Sequence, residues 1–332
     1  MAVGNEITLA GKFLRESLVR YETTVDEPIY PELWGYEGMY HSAIADLPFG
    51  SRGMMNARVD YTGQAVNYGG KATSIPLANY GIEMDEYKTM IGVLAADWTW
   101  IELQAEEASR LNVYLPRVDV IASYRNALDR GLKEWMHQRT VYGDPVANFN
   151  GLITNPYVDV ISVSAAQNGV TAATADSAST YDWFIREASD FRKDSKLTSS
   201  ATAILTSEDV NLAVSKRFTD GSSDGSPRRA LTSGEAAQFT TIAAVNEMTG
   251  AEAIANGRTT INGVTIAPTD DLLMMFDANV SVNMVKHFHD IDYIPPNVLD
   301  DGLTWRQTGL CALSEVIFKQ PFKSRLYVLK KS

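Results

Sequence analysis

The sequence predicts an α+β fold, and three features of its patterning carry that prediction. Residues 54–90 alternate apolar and polar side chains between glycine turns, which is typical of a β-hairpin. After Pro116, apolar side chains recur at helical spacings as far as Tyr142. From Gly151 onward short strand-like and helix-like segments alternate, and several strand-like segments close the chain. With 332 residues and 45% apolar residues, the chain can bury a core around these elements.

The first elements follow an aromatic-rich N-terminal arm. Within this arm, Leu9–Tyr21 has the spacing of a short amphipathic helix. The hairpin Val59–Tyr87 comes next, and its glycines and Pro76 lead us to expect that it becomes ordered only when it packs on another subunit. Lys88–Ala95 is a predicted strand, and Thr99–Leu111 is a short helix with Thr99 as its cap.

A long helix is the strongest signal in the chain. Proline is favoured in the first turn of a helix and glycine after its end, so the predicted helix runs from Pro116 to Tyr142, before Gly143. It would be about 40 Å long at 1.5 Å per residue. Such a helix is long for an ordinary globular domain.

The second half of the chain is predicted to be a mixture of helices, strands and loops. The predicted helices are Tyr181–Lys193, Ser207–Arg217 and Thr240–Ala255, the last with a break near Gly250. The predicted strands are Ala201–Leu205, Gly263–Ala267, Leu272–Phe276, Val280–His289, Trp305–Phe318 and Lys323–Leu329. The predicted loops are Ser162–Thr180 and Thr219–Ala236.

Charge and composition exclude several classes of protein. The chain has 29 Lys and Arg against 41 Asp and Glu, a net charge of −12 that opposes tight binding to a polyanion such as DNA. Cys311 is the single cysteine, so no intramolecular disulfide can form. The apolar run Ile91–Ala96 is far too short to span a membrane, and the start of the chain lacks the continuous hydrophobic stretch of a secretory signal. We therefore expect no membrane partner.

Two places could in principle carry chemistry. His287 and His289 lie two apart on a predicted strand, so they share a face and could bind a metal together with a nearby carboxylate, which leaves a soluble metal-dependent enzyme as one alternative. Cys311 stands in an apolar strand with no neighbouring base, so we interpret it as a small buried side chain. No phosphate-binding glycine motif or nucleophile motif occurs. We predict that the protein is not an enzyme and that it has no catalytic, cofactor-binding or metal site and no cofactor.

The order of the elements, together with a few short motifs, is the most informative feature. The motifs are Glu102-Leu103-Gln104-Ala105 in the short helix, Tyr142-Gly143-Asp144 at the end of the long one, Asn150-Gly151-Leu152-Ile153-Thr154-Asn155 after it, then Ala203–Val210 and Ile261–Pro268. This arrangement resembles the major capsid protein of tailed double-stranded DNA bacteriophages, the Hong Kong 97 type fold that encapsulin nanocompartments also use.

The resemblance implies a division of the chain into five segments. They are an N-terminal arm (1–53), an extended hairpin loop with its base (54–90), a peripheral domain with a spine helix (91–150), a mixed α/β axial domain (151–280), and return strands of the peripheral domain and its sheet (281–332). Some relatives cross-link a hairpin lysine to a neighbour. Lys71 lies in the hairpin here, but no partner asparagine and glutamate can be matched to it, so cross-linking is not predicted.

The resemblance also implies the function. The chain would be the structural subunit of an icosahedral head, assembling as pentamers and hexamers into a shell that encloses packaged DNA without binding it tightly. Its partners would be copies of itself, a separate scaffolding protein, a portal and a decoration protein; it would assemble in the host cytoplasm and reside in the virion. An encapsulin-like nanocompartment shell is the other alternative.

Overall fold

The computed structural model describes residues 32–62, 78–111, 119–171, 175–218, 225–233, 237–277, 284–320 and 323–331. The expected helix Leu9–Tyr21 and residues Lys71 and Pro116 lie outside these ranges. The described residues form two compact units. The first unit comprises residues of Val93–Leu132 and Ile291–Leu310, and the second comprises residues of Leu33–Gly92, Lys133–Asp290 and Cys311–Ser332.

The helices and strands of the described residues alternate along the chain. The helices are α1 (Trp34–Glu37), α2 (Trp100–Leu111), α3 (Val120–Tyr142), α4 (Ser177–Asp194), α5 (Glu208–Ser215), α6 (Pro227–Ser233) and α7 (Gly250–Ala255). The strands are β1 (Ser42–Ile44), β2 (Gly53–Thr62), β3 (Asn79–Thr99), β4 (Gly143–Asp144), β5 (Phe149–Asn150), β6 (Asp159–Val163), β7 (Ala203–Thr206), β8 (Thr241–Ala244), β9 (Thr260–Ile261), β10 (Val264–Thr265), β11 (Asp271–Phe276), β12 (Met284–Val298), β13 (Thr304–Ser314), β14 (Ile317–Phe318) and β15 (Ser324–Leu329).

One sheet is built from strands that lie far apart in the sequence. Its order is β1-β12-β13-β3-β2, and β14 also pairs with β12. Strand β1 runs parallel to β12, with Ser42 opposite Val285 and Ile44 opposite His287. Strands β2 and β3 form an antiparallel ribbon from Gly53–Lys88 to Thr62–Asn79. The predicted hairpin strands are therefore present. The strand predicted separately at Lys88–Ala95 is part of β3, which runs without a break from Asn79 to Thr99.

The other large sheet forms the core of the second unit, with the order β6-β15-β11-β7-β8. Every residue of β11 and β15 is buried, which explains why Leu272–Phe276 and Leu326–Leu329 are continuous apolar runs and do not alternate. Leu272 and Met274 contribute to one apolar cluster, whereas Leu273 and Met275 contribute to another. Because successive side chains of a strand point to opposite faces, this sheet has a hydrophobic core on each side.

Local capping explains the boundaries of several helices. Asp176 caps α4 by accepting a hydrogen bond from the backbone N–H of Ser179, whose hydroxyl accepts one in return from the Asp176 N–H. Ser207 caps α5, as the sequence predicted, by accepting from the N–H of Val210. Thr99 also takes its expected place before α2, where its N–H donates to Glu102 at 2.7 Å.

Two predictions of secondary structure in the second half were wrong. The predicted helix Thr240–Ala255 starts as strand β8, because its β-branched residues pair in parallel with β7; only Gly250–Ala255 is helical. The predicted loop Thr219–Ala236 contains helix α6, which begins at Pro227, a residue pre-organised for a first helical turn.

The prediction for β12 was also wrong at its end. The strand was expected to stop at His289, but it continues through Pro295 and Pro296 to Val298. Prolines are tolerated in strands where no ladder hydrogen bond is needed, and β1 and β14 pair with β12 only between Met284 and His287. The long helix begins at Val120, where Asp119 accepts a hydrogen bond from the backbone N–H of Ala122 at 2.9 Å; the predicted start at Pro116 lies outside the described residues.

Candidate assembly surfaces and a buried polar junction

The β2–β3 ribbon presents an apolar face to solvent. Paired residues of an antiparallel ribbon point to the same side, and the register places Val59 opposite Ile82 and Ala57 opposite Met84. The exposed fractions are 73% for Met55, 58% for Ile82 and 70% for Met84. Large apolar side chains exposed together on one surface are typical of an interaction site.

The opposite face of the ribbon is polar and is held at its base. Asn56 and Asp85 are paired there, and the hydroxyl of Tyr157 donates to Asp85 at 2.8 Å. Closer to the base, the backbone N–H of Lys88 donates to Glu315 Oε2 at 3.1 Å, and the Glu315 N–H donates back to Lys88 O at 2.9 Å. The ribbon is thus anchored within the second unit while its apolar face stays uncovered.

The first unit carries an exposed apolar patch of its own. Trp100 and Trp305 lie with their ring centroids 6.0 Å apart, and the backbone N–H of Trp100 donates to Leu303 O at 2.8 Å. Trp100 and Leu303 are both exposed. Beside them Arg306 donates to both carboxylate oxygens of Asp97, at 2.7 and 2.6 Å, and these hydrogen bonds lower the pKa of Asp97.

A buried polar junction lies where residues from four distant parts of the second unit meet. The backbone N–H of Gly35 donates to His137 Nδ1 at 3.0 Å, so that nitrogen carries no proton in this arrangement. His137 Nε2 therefore holds the proton and donates it to Glu247 Oε1 at 2.8 Å. The Trp34 indole N–H donates to the other Glu247 oxygen at 2.8 Å. Burial raises the pKa of Glu247, but the hydrogen bonds from His137 and Trp34 outweigh it and lower the pKa overall.

Two further titratable side chains belong to this junction. Lys286 is fully buried, and its Nζ donates to Gly35 O at 2.8 Å and lies 3.4 Å from Thr140 Oγ1. Burial lowers the pKa of Lys286 to about 7. His41 is 2% exposed, and neither of its ring nitrogens has a hydrogen-bond partner among the described residues.

The motif at the end of the long helix forms a tight backbone crossing. Gly143 has φ +68°, and a Cβ there would lie 2.1 Å from Phe149 O. The Arg258 guanidinium donates to Tyr142 O at 2.8 Å and to Phe149 O at 2.9 Å. The N–H of Asn150 donates to Glu315 Oε1 at 2.6 Å. The fold therefore brings together the two sequence motifs Tyr142–Asp144 and Asn150–Asn155 at this backbone crossing.

His287, His289 and Cys311, the side chains that the sequence offered for chemistry, lie outside the polar junction. His287 Nδ1 lies 2.5 Å from Asp46 Oδ1, and His289 Nδ1 lies 3.1 Å from the carbonyl oxygen of Leu47. No group of three metal-ligating side chains is found within the described ranges. Cys311 is buried, and burial raises the pKa of its thiol to about 11. No helix in the described part of the chain is long and apolar enough to cross a membrane.

Sequence reasoning found the hairpin but missed the polar junction. Alternation in Met55–Val59 is visible in the sequence, and it is the signal for the exposed apolar face. His137 and Glu247 are 110 positions apart, so no local spacing connects them.

Comparison with known proteins agrees with this architecture. A family model described as major capsid protein matches residues 63–260. The capsid of Myoviridae phage XM1 is similar with a TM-score of 0.73 and 12% identity, covering 95% of this chain and 98% of that one. The capsid of a native GTA particle is similar with a TM-score of 0.60 and 10% identity, covering 94% of this chain and 96% of that one. The capsid of cyanophage P-SCSP1u is similar with a TM-score of 0.56 and 12% identity, covering 96% of this chain and 95% of that one. Curated protein sequences gave no match.

These matches confirm the predicted α+β fold of the phage capsid type. They do not favour either alternative, the encapsulin-like shell or the enzyme built on His287 and His289. Because the family model covers more than half of the sequence, this chain belongs to the major capsid protein family.

Proposed function

We propose that this chain is the subunit of an icosahedral bacteriophage head that assembles as pentamers and hexamers into a shell around packaged double-stranded DNA. Membership of the major capsid protein family supports a structural role in the virion capsid, and this role needs no catalytic residue or cofactor. The observation that carries the proposal further is the uncovered apolar face of the β2–β3 ribbon.

The ribbon face fits a contact with a neighbouring copy. Its exposed apolar side chains are Met55, Val59, Tyr80, Ile82 and Met84. Full burial of one such side chain contributes roughly 1.5–3 kcal/mol, so one ribbon can contribute several kcal/mol to a contact. A ribbon that lies on a different surface of the next copy makes a head-to-tail contact, and such contacts form a closed ring when the rotation between successive copies closes. Pentamers and hexamers are rings of this kind.

The five segments expected from the sequence correspond to different parts of such a subunit. We assign the arm to residues 1–53, the extended loop and its base to 54–90, the peripheral domain to 91–150, the axial domain to 151–280 and the return strands to 281–332. The long helix Val120–Tyr142 would be the spine helix of the peripheral domain. The five-stranded sheet with β11 at its centre would form the core of the axial domain, and its strand β15 would be supplied by the last segment of the chain.

The net charge of the chain supports a shell that encloses DNA without binding it tightly. A net charge of −12 suits a wall that encloses DNA without holding it tightly. We propose a separate scaffolding protein, a portal and a decoration protein as the other partners, and assembly in the host cytoplasm.

Electron microscopy tests this function. The full-length chain is expressed with and without the scaffolding protein of its own genome, and the purified particles are imaged. We expect closed shells built from five-fold and six-fold capsomers in the presence of the scaffold. Small discrete oligomers under both conditions would count against the proposal.

A further inference from the structure

The segment Leu33–Leu47, called here the strap, is attached to the rest of the second unit at both ends and through strand β1. Strand β1 within it pairs with β12, and the Leu47 N–H donates to Phe288 O at 3.2 Å. At its other end, Gly35 donates to His137 and accepts from Lys286. The strap therefore covers the polar junction described above.

Lys286 and His41 are both hidden by this arrangement. The Lys286 ammonium nitrogen lies 6.0 Å from the centre of the Tyr36 ring and 5.5 Å from that of Phe288. Its hydrogen bonds go to the carbonyl oxygen of Gly35 and the hydroxyl of Thr140. His41 belongs to the strap itself and is buried with both ring nitrogens unpaired among the described residues. Lifting the strap would return both side chains to water.

The charged and titratable groups around the strap come from three other elements. Helix α3 provides His137 and Lys133, whose Nζ lies 5.5 Å from the centre of the Tyr36 ring. Strand β12 provides Lys286, His287, whose Nδ1 lies 2.5 Å from Asp46 Oδ1 of the strap, and His289, whose Nδ1 lies 3.1 Å from Leu47 O. The connection between β8 and α7 provides Glu247, whose carboxylate accepts hydrogen bonds from His137 and Trp34. Positive charge on Lys286 disfavours a second positive charge on His41.

We propose that the strap is an acid-released latch, in which protonation of His41 is coupled to the detachment of Leu33–Leu47 from helix α3 and strand β12. The closed strap holds His41 neutral because the imidazole is buried and no described residue accepts a hydrogen bond from it. The open strap exposes the imidazole to water, where it takes up a proton readily. This conformational device is independent of the proposed shell function.

The direction of the pH dependence follows from the pKa of His41. Burial, with further contributions from the charges of Lys286 and His137, lowers this pKa from 6.5 to about 3 in the closed state. Because the open state binds more protons between these two values, the closed state loses stability as the pH falls below 6.5. This difference predicts that the opening constant rises roughly 20-fold from about pH 7 to about pH 5.

Hydrogen exchange of the full-length chain measures this opening directly. Exchange of the strap peptide is followed at both pH values and corrected for the intrinsic rates, with the buried strand Asp271–Phe276 as the internal reference. We expect a roughly 20-fold gain in strap opening at the lower pH, with no comparable change in the reference strand. Equal opening at both pH values would overturn the proposal.

Two variants identify the group that titrates. His41→Phe keeps a buried ring but cannot take up a proton, and it should abolish the gain at the lower pH. Lys286→Met removes the neighbouring cation and leaves His41 in place, so the gain should persist. A gain that survives in His41→Phe would overturn the proposal. If His41→Phe does not fold, nuclear magnetic resonance of the wild-type imidazole decides: His41 should stay neutral at about pH 5, and a midpoint near its ordinary value would contradict the latch.

Discussion

Val59 and Ile82 lie directly opposite each other on the exposed face of the β2–β3 ribbon. Such a pair of β-branched side chains stabilises the ribbon locally, but it leaves apolar surface in water on the outer side. Since the ribbon is attached at its base through Lys88 and Glu315, it can present this surface to a neighbour.

The first prediction is that the ribbon becomes protected when subunits assemble. A two-stranded ribbon gains little protection from its own contacts, whereas packing on a second copy would bury its apolar face. Hydrogen exchange of Asn79–Tyr87 should therefore slow markedly from the free subunit to the shell. Identical protection in the two states would show that the ribbon is not part of a contact between subunits.

The second prediction concerns the backbone crossing at Gly143. Gly143→Ala adds strain at positive φ and brings a Cβ against Phe149 O, so we expect a loss of roughly 3 kcal/mol or more in the free energy of unfolding. Gly302→Ala is the matched control, because Gly302 also has positive φ but nothing lies within 4 Å of an added Cβ. The free energy of unfolding of this control should fall by only about 1 kcal/mol. Urea unfolding of both variants checks the difference, and equal losses would mean that the contact with Phe149 contributes nothing.

The third prediction concerns pH and Lys286. Burial lowers the pKa of Lys286 from 10.5 to about 7, so the unfolded chain binds more protons between these values and stability must rise with pH in this window. One proton corresponds to about 1.4 kcal/mol per pH unit. Lys286→Met should remove this slope from the free energy of unfolding measured by urea titration at about pH 8 to 9.5. If wild type and variant have parallel profiles, Lys286 keeps an ordinary pKa in the folded protein.

The fourth prediction follows from the net charge of −12. Like-charge repulsion should prevent the free subunit from binding double-stranded DNA at physiological salt. Fluorescence anisotropy of a labelled duplex measures this binding. Submicromolar affinity would contradict the picture of a wall that encloses DNA without gripping it.

Those parts of the fold that depend on local pattern could be predicted from the sequence. The continuous apolar run Leu272–Phe276 identified a buried strand, and Gly143 correctly marked the end of the long helix. Thr240–Ala255 was misassigned because the pairing of β8 with β7, a distant strand, decides its conformation. Tertiary contacts override local propensity at such places.

The ribbon surface could be predicted from local sequence pattern, whereas the polar junction could not. The alternation around Val59 pointed to the ribbon, although the sequence alone does not say which face remains uncovered. The junction of Trp34, His137, Glu247 and Lys286 depends on contacts between residues that are about a hundred or more positions apart. No spacing rule reaches across such separations.

The central claim is that the apolar face of the ribbon joins one subunit to the next, and a pair of substitutions on adjacent residues tests it most directly. Ile82→Asp places a charge on the apolar face, and Glu83→Ala changes the opposite, polar face. Both residues are exposed, so both variants should unfold within about 0.5 kcal/mol of the wild type. Counting closed shells by electron microscopy under identical conditions should show that Ile82→Asp abolishes them and Glu83→Ala retains them. Normal shells from Ile82→Asp would contradict the account.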